Sequence, residues 1–147
     1  MLYKNILVPY DGSDHARKAL DQAIALAQAG GGAKIHLATF YDVGFDKFEG
    51  GEIFASDSGK SRSLEDMEAE VQKKLEKVAE SIPEGIERDY HFEFGKPGPH
   101  ICRVAEEEKC DLIVVGSRGR DFFEEMVLGS VSSYVVHHAK CIVMIVK

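Results

Sequence analysis

Four glycine and serine positions near the C-terminal end of the chain have the spacing of an anion-binding loop. Gly116 and Gly119 follow the apolar run 111–115, and nine residues separate Gly119 from the pair Gly129-Ser130. Glycine allows backbone N–H groups to approach an anion closely, and a following helix adds unpaired donors and a positive dipole end. The pattern therefore predicts phosphate binding. It is neither a Walker A loop nor a GxGxxG dinucleotide fingerprint, because the required lysine and glycine spacings are missing.

A second polar turn follows an apolar run at the other end of the chain. The segment 6–9 leads into Tyr10, Asp11, Gly12 and Ser13. The Asp11 carboxylate can accept hydrogen bonds from ribose hydroxyls or help to hold a metal near phosphates. Asp11 or Ser13 can also cap the first helix, and since Ser13 suffices for that role, we expect Asp11 to contact a ligand.

Other side chains near these motifs have two interpretations each. Arg118 can pair with phosphate charge or remain a solvated loop residue, while Ser117 is one of several hydroxyls close to the glycines. Ser130 can both cap the last helix and contact phosphate. Phe40, which ends an apolar run, can border an adenine ring.

The remaining reactive side chains form no recognisable catalytic or metal-binding pattern. The histidines lack metal-ligand spacing, and three cysteines without a CxxC pair favour neither a disulfide framework nor a zinc site. We therefore predict no catalytic residue and no metal ligand, and interpret the cysteines as small core residues.

The hydrophobic pattern supplies the elements that must position these motifs. Apolar runs predict strands, and apolar residues at helical spacing predict helices. The strands are expected at 3–9, 34–40, 86–94, 111–115 and 141–146, and the helices at 13–29, 63–81, 97–109 and 129–138. The strand at 86–94 alternates and should lie at an edge, while 42–62 is expected to be a long mobile loop, either functional or disordered.

Strands that alternate with helices indicate an α/β protein with a parallel sheet covered by helices on both faces. A sheet that starts in its middle and grows both ways has its switch point between the first and fourth strands. Ligands bind in the crevice at the carboxyl ends of those strands. Both polar motifs lie there, which strengthens the prediction of a nucleotide site.

Composition limits the class of protein further. A chain of 147 residues that is 44% hydrophobic predicts a single globular domain, 1–147. The net charge of −7 argues against non-specific binding of nucleic acid or of an anionic membrane. Without a signal-peptide pattern or an apolar run of about 20 residues, the expected location is the cytoplasm.

At this point the sequence resembles the universal stress protein family. The resemblance covers nearly the whole chain and is carried by 5–13, 94–98, 110–119, 128–132 and 138–141. Nucleotide-binding members of that family carry the motif G-x2-G-x9-G-[S/T]. This chain is similar to that ATP-binding branch, since it holds Gly116, Gly119, Gly129 and Ser130 at those positions.

The resemblance implies a flavodoxin-like, adenine-nucleotide α-hydrolase-like fold with a five-stranded sheet of order 3-2-1-4-5. It implies ATP as the ligand, with AMP or ADP as alternatives and Mg²⁺ as an optional partner. Asp11 would meet the ribose, Pro9 and Tyr10 would border the nucleoside, and the backbone at Phe40 would recognise adenine. The phosphates would be surrounded by Gly116, Gly119, Gly129, Ser130 and Val131. Members are commonly homodimers, often paired through the last strand, here 141–146.

Three functions remain open from the sequence. The leading hypothesis is a dimeric ATP-binding stress-response module that acts on an unknown regulatory protein partner. The second is an enzyme that slowly hydrolyses ATP or phosphorylates itself on Ser117, Ser130 or Ser132. The third is a nucleotide-independent interaction protein that uses 42–62 and the dimer surface.

Overall fold

The computed structural model describes residues 2–41, 48–49, 52–54, 61–118 and 128–147. Within these ranges the chain forms helices and strands in the predicted alternation. The helices are α1 (Asp14–Ala29), α2 (Leu64–Ala79), α3 (Pro97–Glu107) and α4 (Ser130–His138). The strands are β1 (Asn5–Pro9), β2 (Lys34–Tyr41), β3 (Phe48–Glu49), β4 (Glu52–Phe54), β5 (Ser61–Ser63), β6 (Arg88–Phe94), β7 (Leu112–Gly116) and β8 (Ile142–Val146). These bounds differ by only a few residues from the predicted ones, as expected for helix ends and strand ends.

The main sheet has five strands in the order β6-β2-β1-β7-β8. All four neighbouring pairs are parallel. When only the five strands of the main sheet are numbered along the chain, this order becomes 3-2-1-4-5. The predicted fold class is therefore confirmed. Strand β6 lies at one edge and is half-buried along its length, as its alternating sequence predicts.

The core has two parts, one on each face of the sheet. Ile6 and Val8 of β1 pack with apolar residues of α1 and α2, whereas Leu7 packs with residues of α3 and α4. Successive strand residues point to opposite faces, so a strand that is apolar throughout serves both layers. The helices therefore cover both faces, as the sequence predicts.

Short strands interrupt the segment 42–62, in which the sequence analysis predicted one long loop. Strands β3, β4 and β5 pair antiparallel in a small second sheet, which corrects that interpretation. In the pair of β3 and β4, Phe48 is the partner of Ile53 and Glu49 is the partner of Glu52. The predicted mobility of this segment falls largely on residues outside the described ranges and stays a prediction.

The first helix begins where its capping residue predicts. Ser13 is the N-cap of α1, and its Oγ accepts a hydrogen bond from the Ala16 N–H at 3.1 Å. The buried residues of α1 are Ala16, Ala19, Leu20, Ala23 and Ala27. Among the described helices, we find none with the length and hydropathy of a membrane-spanning segment.

Candidate functional site

The carboxyl ends of β1 and β7 lie side by side and open into one cavity. The two strands pair in register from Ile6 with Leu112. The cavity has a volume of about 380 Å³, within the range of small-molecule sites. Its described lining includes Pro9, Tyr10, Asp11, Gly12, Ser13, Thr39, Phe40, Gly116, Arg118, Gly129, Ser130, Val131 and Ser132. Both sequence motifs therefore border the same space.

The turn after β1 forms the first wall of this cavity. Gly12 adopts φ 85°, a conformation that favours glycine. The Tyr10 N–H donates to the Ala38 carbonyl at 2.7 Å, and the Thr39 hydroxyl donates to the Tyr10 carbonyl at 2.7 Å. These contacts attach the turn to the neighbouring strand β2. The backbone that carries Asp11 is consequently fixed before any ligand arrives.

Asp11 has a structural contact of its own at this turn. Its Oδ1 accepts a hydrogen bond from the Ser13 N–H at 2.9 Å. The sequence predicts that Ser13 caps the helix and that Asp11 contacts a ligand. The structure gives Asp11 a part in the turn as well, and this contact orients the half-buried carboxylate beside the cavity.

The turn after β7 forms the second wall. The Ser117 N–H donates to the Val146 carbonyl at 2.7 Å, and the Ser117 carbonyl accepts from the Gly129 N–H at 2.7 Å. The Ser132 hydroxyl lies 2.9 Å from the same carbonyl. Residues 116–118 and the start of α4 are thus held together although they are distant in sequence. Gly119 lies outside the described residues, so its predicted role stays untested.

The last helix begins one residue earlier than it would if Ser130 were its N-cap. Gly129 is the N-cap of α4 and Ser130 is its first residue, so the prediction that Ser130 caps this helix was wrong. Glycine is an acceptable N-cap, and its use leaves the Ser130 side chain exposed. The first N–H groups of a helix have no intrahelical acceptor. The first N–H groups of α4 lie at the cavity wall, where an anion would accept hydrogen bonds from them.

The three hydroxyls considered for phosphorylation have very different environments. Ser117 and Ser132 are 2% and 1% exposed, respectively. Ser117 Oγ lies 3.2 Å from His15 Nδ1, and Ser132 Oγ contacts the Ser117 and Gly129 carbonyls. Ser130 is exposed at the cavity. Of these three, only Ser130 is accessible to a phosphoryl donor.

Residues of β2, α2 and α3 complete the cavity. The half-buried Phe40 stacks on His100, with ring centroids 5.9 Å apart. The cavity lining includes residues of α2 and α3 that the sequence did not predict to be in the site: Val71, Lys74, Leu75, Pro97 and Ile101. Lys74 and Arg118 are the cations among the described lining residues. The spacing of residues 71, 74 and 75 predicts that they share one face of a helix. It does not predict which strand ends this face covers, because tertiary packing determines that.

The cysteines lie outside the cavity lining and behave as core residues. Burial raises the pKa of the Cys102 and Cys141 thiols, and it raises the pKa of Cys110 to about 12. Because the thiolate is the nucleophile, these shifts lower the reactivity of the three thiols near neutral pH. All three are free thiols.

A parallel sheet of order 3-2-1-4-5 with helices on both faces and a crevice at its switch point defines a doubly wound α/β protein, the class in which ligands bind at that crevice. Comparison with known proteins identifies the family. The family model for the universal stress protein family matches residues 2–147. The chain therefore belongs to the universal stress protein family.

Individual relatives match this chain along nearly their full lengths. Universal stress protein Sll1388 of Synechocystis is 34% identical over 100% of this chain and 99% of its own. The solved structure of protein MJ0577, from Methanocaldococcus jannaschii, matches with a TM-score of 0.81 at 26% identity, covering 100% of this chain and 97% of that one. A universal stress protein solved in complex with cAMP matches with a TM-score of 0.67 at 26% identity, covering 99% and 98%.

Proposed function

We propose that this chain is a cytoplasmic regulatory module that binds an adenine nucleotide in the cavity between β1 and β7. ATP is the proposed ligand, with ADP or AMP as alternatives. The observation that carries the proposal is that the Asp11 turn, the end of β7 at Gly116 and the start of α4 at Gly129 all line one cavity. The relative solved with cAMP, which is 26% identical, supports the adenine nucleotide class.

The phosphate end of the ligand would lie against the second wall. The backbone at Gly116, Gly119, Gly129, Ser130 and Val131 would surround the phosphates. The start of α4 supplies helix N-terminal donors and a positive dipole end, and Arg118 supplies a guanidinium that can bind phosphate oxygens in pairs. Lys74 adds a second positive charge to the lining. Local donors of this kind explain how a chain of net charge −7 would hold a polyanion.

The nucleoside end would lie against the first wall. The Asp11 carboxylate would accept hydrogen bonds from the ribose hydroxyls, since ionised carboxylates are strong acceptors. Pro9 and Tyr10 would border the nucleoside, and the backbone at Phe40 would recognise adenine. The stack of Phe40 on His100 holds that end of β2 in place beside the cavity. Adenine would thus meet a largely apolar surface with a few oriented polar groups.

Magnesium fits this site only together with phosphates. Asp11 is the sole carboxylate among the described lining residues. Mg²⁺ is usually bound through one or two carboxylates plus substrate phosphates and water. Asp11 would therefore hold the ion jointly with the nucleotide, and the ion would supply charge neutralisation there.

We further propose that the protein acts as a homodimer paired through the last strand, 141–146. Strand β8 lies at an edge of the sheet, and its first residue, Ile142, is 59% exposed. Exposed apolar edge strands are templates for pairing with another chain. Nucleotide occupancy would then alter the contacts of the dimer with a regulatory protein partner.

Thermal unfolding with and without nucleotides tests the binding proposal. Millimolar ATP, ADP, AMP, NAD and FMN, each with Mg²⁺, would be compared on protein shown by chromatography to be free of co-purified nucleotide. A ligand at 100 times its Kd stabilises the fold by about 2.7 kcal/mol, or roughly 5–10 °C for a chain of this size. Shifts with adenine nucleotides alone support the proposal. No shift with any of them overturns it and favours the nucleotide-independent interaction protein.

Variants assign the effect to the cavity. Asp11→Ala should weaken nucleotide binding, whereas Ser13→Ala removes the α1 cap and should cost about 1 kcal/mol of stability. Gly129→Ala should weaken binding while the fold survives. Unchanged affinity in both Asp11→Ala and Gly129→Ala would contradict the site assignment.

Weak catalysis, either slow ATP hydrolysis or self-phosphorylation, is the second candidate, and the exposed hydroxyl of Ser130 at the cavity favours self-phosphorylation. Phosphate release and phosphate incorporation would be followed with labelled ATP, with Asp11→Ala as the control. Incorporation that Ser130→Ala abolishes supports an enzyme. Binding without release or incorporation supports the binding module.

A further inference from the structure

Three potential metal ligands meet on the face of the sheet that α3 covers, outside the nucleotide cavity. They are His36 of β2, His91 of β6 and Glu108, the C-cap residue of α3. One donor atom from each lies within 4.8 Å of the others. None of the three is among the described residues that line the cavity. This group is therefore a second cluster with its own chemistry.

The topology explains how residues so far apart in sequence meet. In the parallel pair of β2 and β6, His91 is the partner of Ala38, two residues after His36. Residues two apart on a strand share a face, so both imidazoles point to the same side of the sheet. Helix α3 packs on that side and ends above them, which brings the Glu108 carboxylate to the two rings.

The side chain of Asn5 determines which nitrogen of His36 is available. Asn5 Oδ1 lies 3.1 Å from His36 Nε2 and, as an acceptor, requires that nitrogen to carry the proton. In the neutral ring the lone pair is then on Nδ1, which faces His91 Nε2 at 3.1 Å. Metal-binding histidines commonly donate their other N–H to a carbonyl or carboxylate in this way.

We propose that His36 Nδ1, His91 Nε2 and the Glu108 carboxylate bind one divalent transition-metal ion, with Zn²⁺ the best match. Zinc–imidazole bonds of about 2.0–2.1 Å in a tetrahedral site put two ligand nitrogens about 3.3 Å apart, close to the spacing of the two rings. A set of two histidines and one glutamate is a known zinc donor set, and it leaves a fourth position for water. Glu108 Oε2 lies 4.0 Å from His36 Nδ1 and has a side chain 38% exposed, so it can adjust to the ion.

The local charges agree with a cation at this position. Burial, reinforced by the neighbouring His91, lowers the pKa of His36. A metal ligand must be deprotonated at the donor atom, and the contact with Asn5 Oδ1 leaves the lone pair of the neutral ring on Nδ1. The nearby cation Lys34 forms an ion pair with Asp89 at 2.6 Å, which offsets its repulsion.

Metal titration of the full-length, untagged protein tests the site. The protein would be treated with EDTA, dialysed and titrated with Zn²⁺ by calorimetry, and with Co²⁺ by absorption, in the absence of nucleotide. We expect one ion per chain and the intense visible bands of tetrahedral Co²⁺. Because no nucleotide is present, failure of this test leaves the proposed nucleotide site unaffected.

Matched variants separate a built site from surface binding. Glu108→Gln should weaken Zn²⁺ binding at least about 10-fold, and His91→Ala should abolish the Co²⁺ bands. His137→Ala removes an exposed histidine outside the cluster and should leave the Kd within about two-fold. Circular dichroism would verify folding, and Glu108→Gln, which alters a partly exposed side chain, decides the case should His91→Ala unfold.

Asn5 supplies an independent readout, because it acts through His36. Asn5→Asp puts a carboxylate behind the ligating histidine and should tighten Zn²⁺ binding, whereas Asn5→Ala should weaken it about 10-fold. Two outcomes overturn the proposal: less than one ion per chain at saturation, or equal Zn²⁺ affinity in Glu108→Gln and His137→Ala. In either case the two histidines form only a hydrogen-bonded pair.

Discussion

A Cβ atom added to Gly116 would lie 2.8 Å from the carbonyl carbon of His15 and 2.9 Å from its carbonyl oxygen. These are backbone atoms of α1, which cannot move aside without shifting the helix. Gly116 is buried at the end of β7, where that helix crosses. The first glycine of the motif is thus required by packing between α1 and the sheet, besides any role at a phosphate.

We therefore predict that Gly116→Ala mainly lowers stability. Forcing a methyl group against backbone in a packed core typically costs about 1–3 kcal/mol. The free energy of unfolding would be measured by urea denaturation of both proteins. Equal stability of Gly116→Ala and the natural protein would contradict the close approach.

The core and the sheet order follow from local patterns, which explains why sequence predicts them. The buried runs at 6–9 and 112–116 are apolar whichever face they meet, and Ser13 caps α1 through a bond to a residue three positions away. Such signals depend on a few neighbouring residues. They survive folding because the tertiary structure agrees with them.

The features that sequence did not predict depend on contacts across the fold. Ser117 is buried because β8 and the start of α4 close over it, and no local pattern indicates that. Lys74 reaches the cavity because α2 crosses the strand ends. His36 and His91 meet only through the pairing of β2 with β6. Contacts of this kind become visible only when the register and helix packing are known.

Cys110 is predicted to be almost inert to alkylation in the folded protein. With a pKa of about 12, its thiolate fraction at pH 8 is about 10⁻⁴, against about a quarter for an unperturbed cysteine. Mass spectrometry after iodoacetamide treatment at pH 8, with and without urea, measures the ratio of rates. We expect at least about a 100-fold difference, and comparable rates would show that the thiol is accessible.

The raised pKa of Cys110 also predicts how the free energy of unfolding changes at high pH. The folded pKa lies above that of an unfolded cysteine, so the contribution of Cys110 is intact below about pH 8.5 and is lost as pH rises toward 12. Cys110→Ala removes this ionisation. The fall in unfolding free energy between pH 8.5 and 10.5 should therefore be smaller in Cys110→Ala, and an equal fall in both proteins would contradict the prediction.

Ile142→Lys should dissociate the proposed homodimer. A lysine on an edge strand opposes pairing with another chain, and Ile142 is exposed at the start of β8. Light scattering coupled to gel filtration would report the mass. Leu2→Lys, which alters another exposed apolar residue, serves as the control and should keep the dimer. A monomeric natural protein, or dissociation by both variants alike, would exclude pairing through 141–146.

Lys74→Ala should weaken ATP binding without affecting adenosine. Lys74 lines the cavity on α2, and its side chain is 68% exposed, with Glu70 at 3.6 Å. An exposed charge of this kind contributes about 0.2–1 kcal/mol, so the Kd for ATP should rise about 1.5- to 5-fold and less at high salt.

Lys73→Ala removes the same charge from the neighbouring position, which is not among the described lining residues. Calorimetry on both variants with ATP and adenosine separates a local contact from a general charge effect. Equal losses in the two variants would mean that Lys74 acts only through net charge, whereas a loss confined to Lys74→Ala and to ATP would assign α2 to the phosphate side of the cavity.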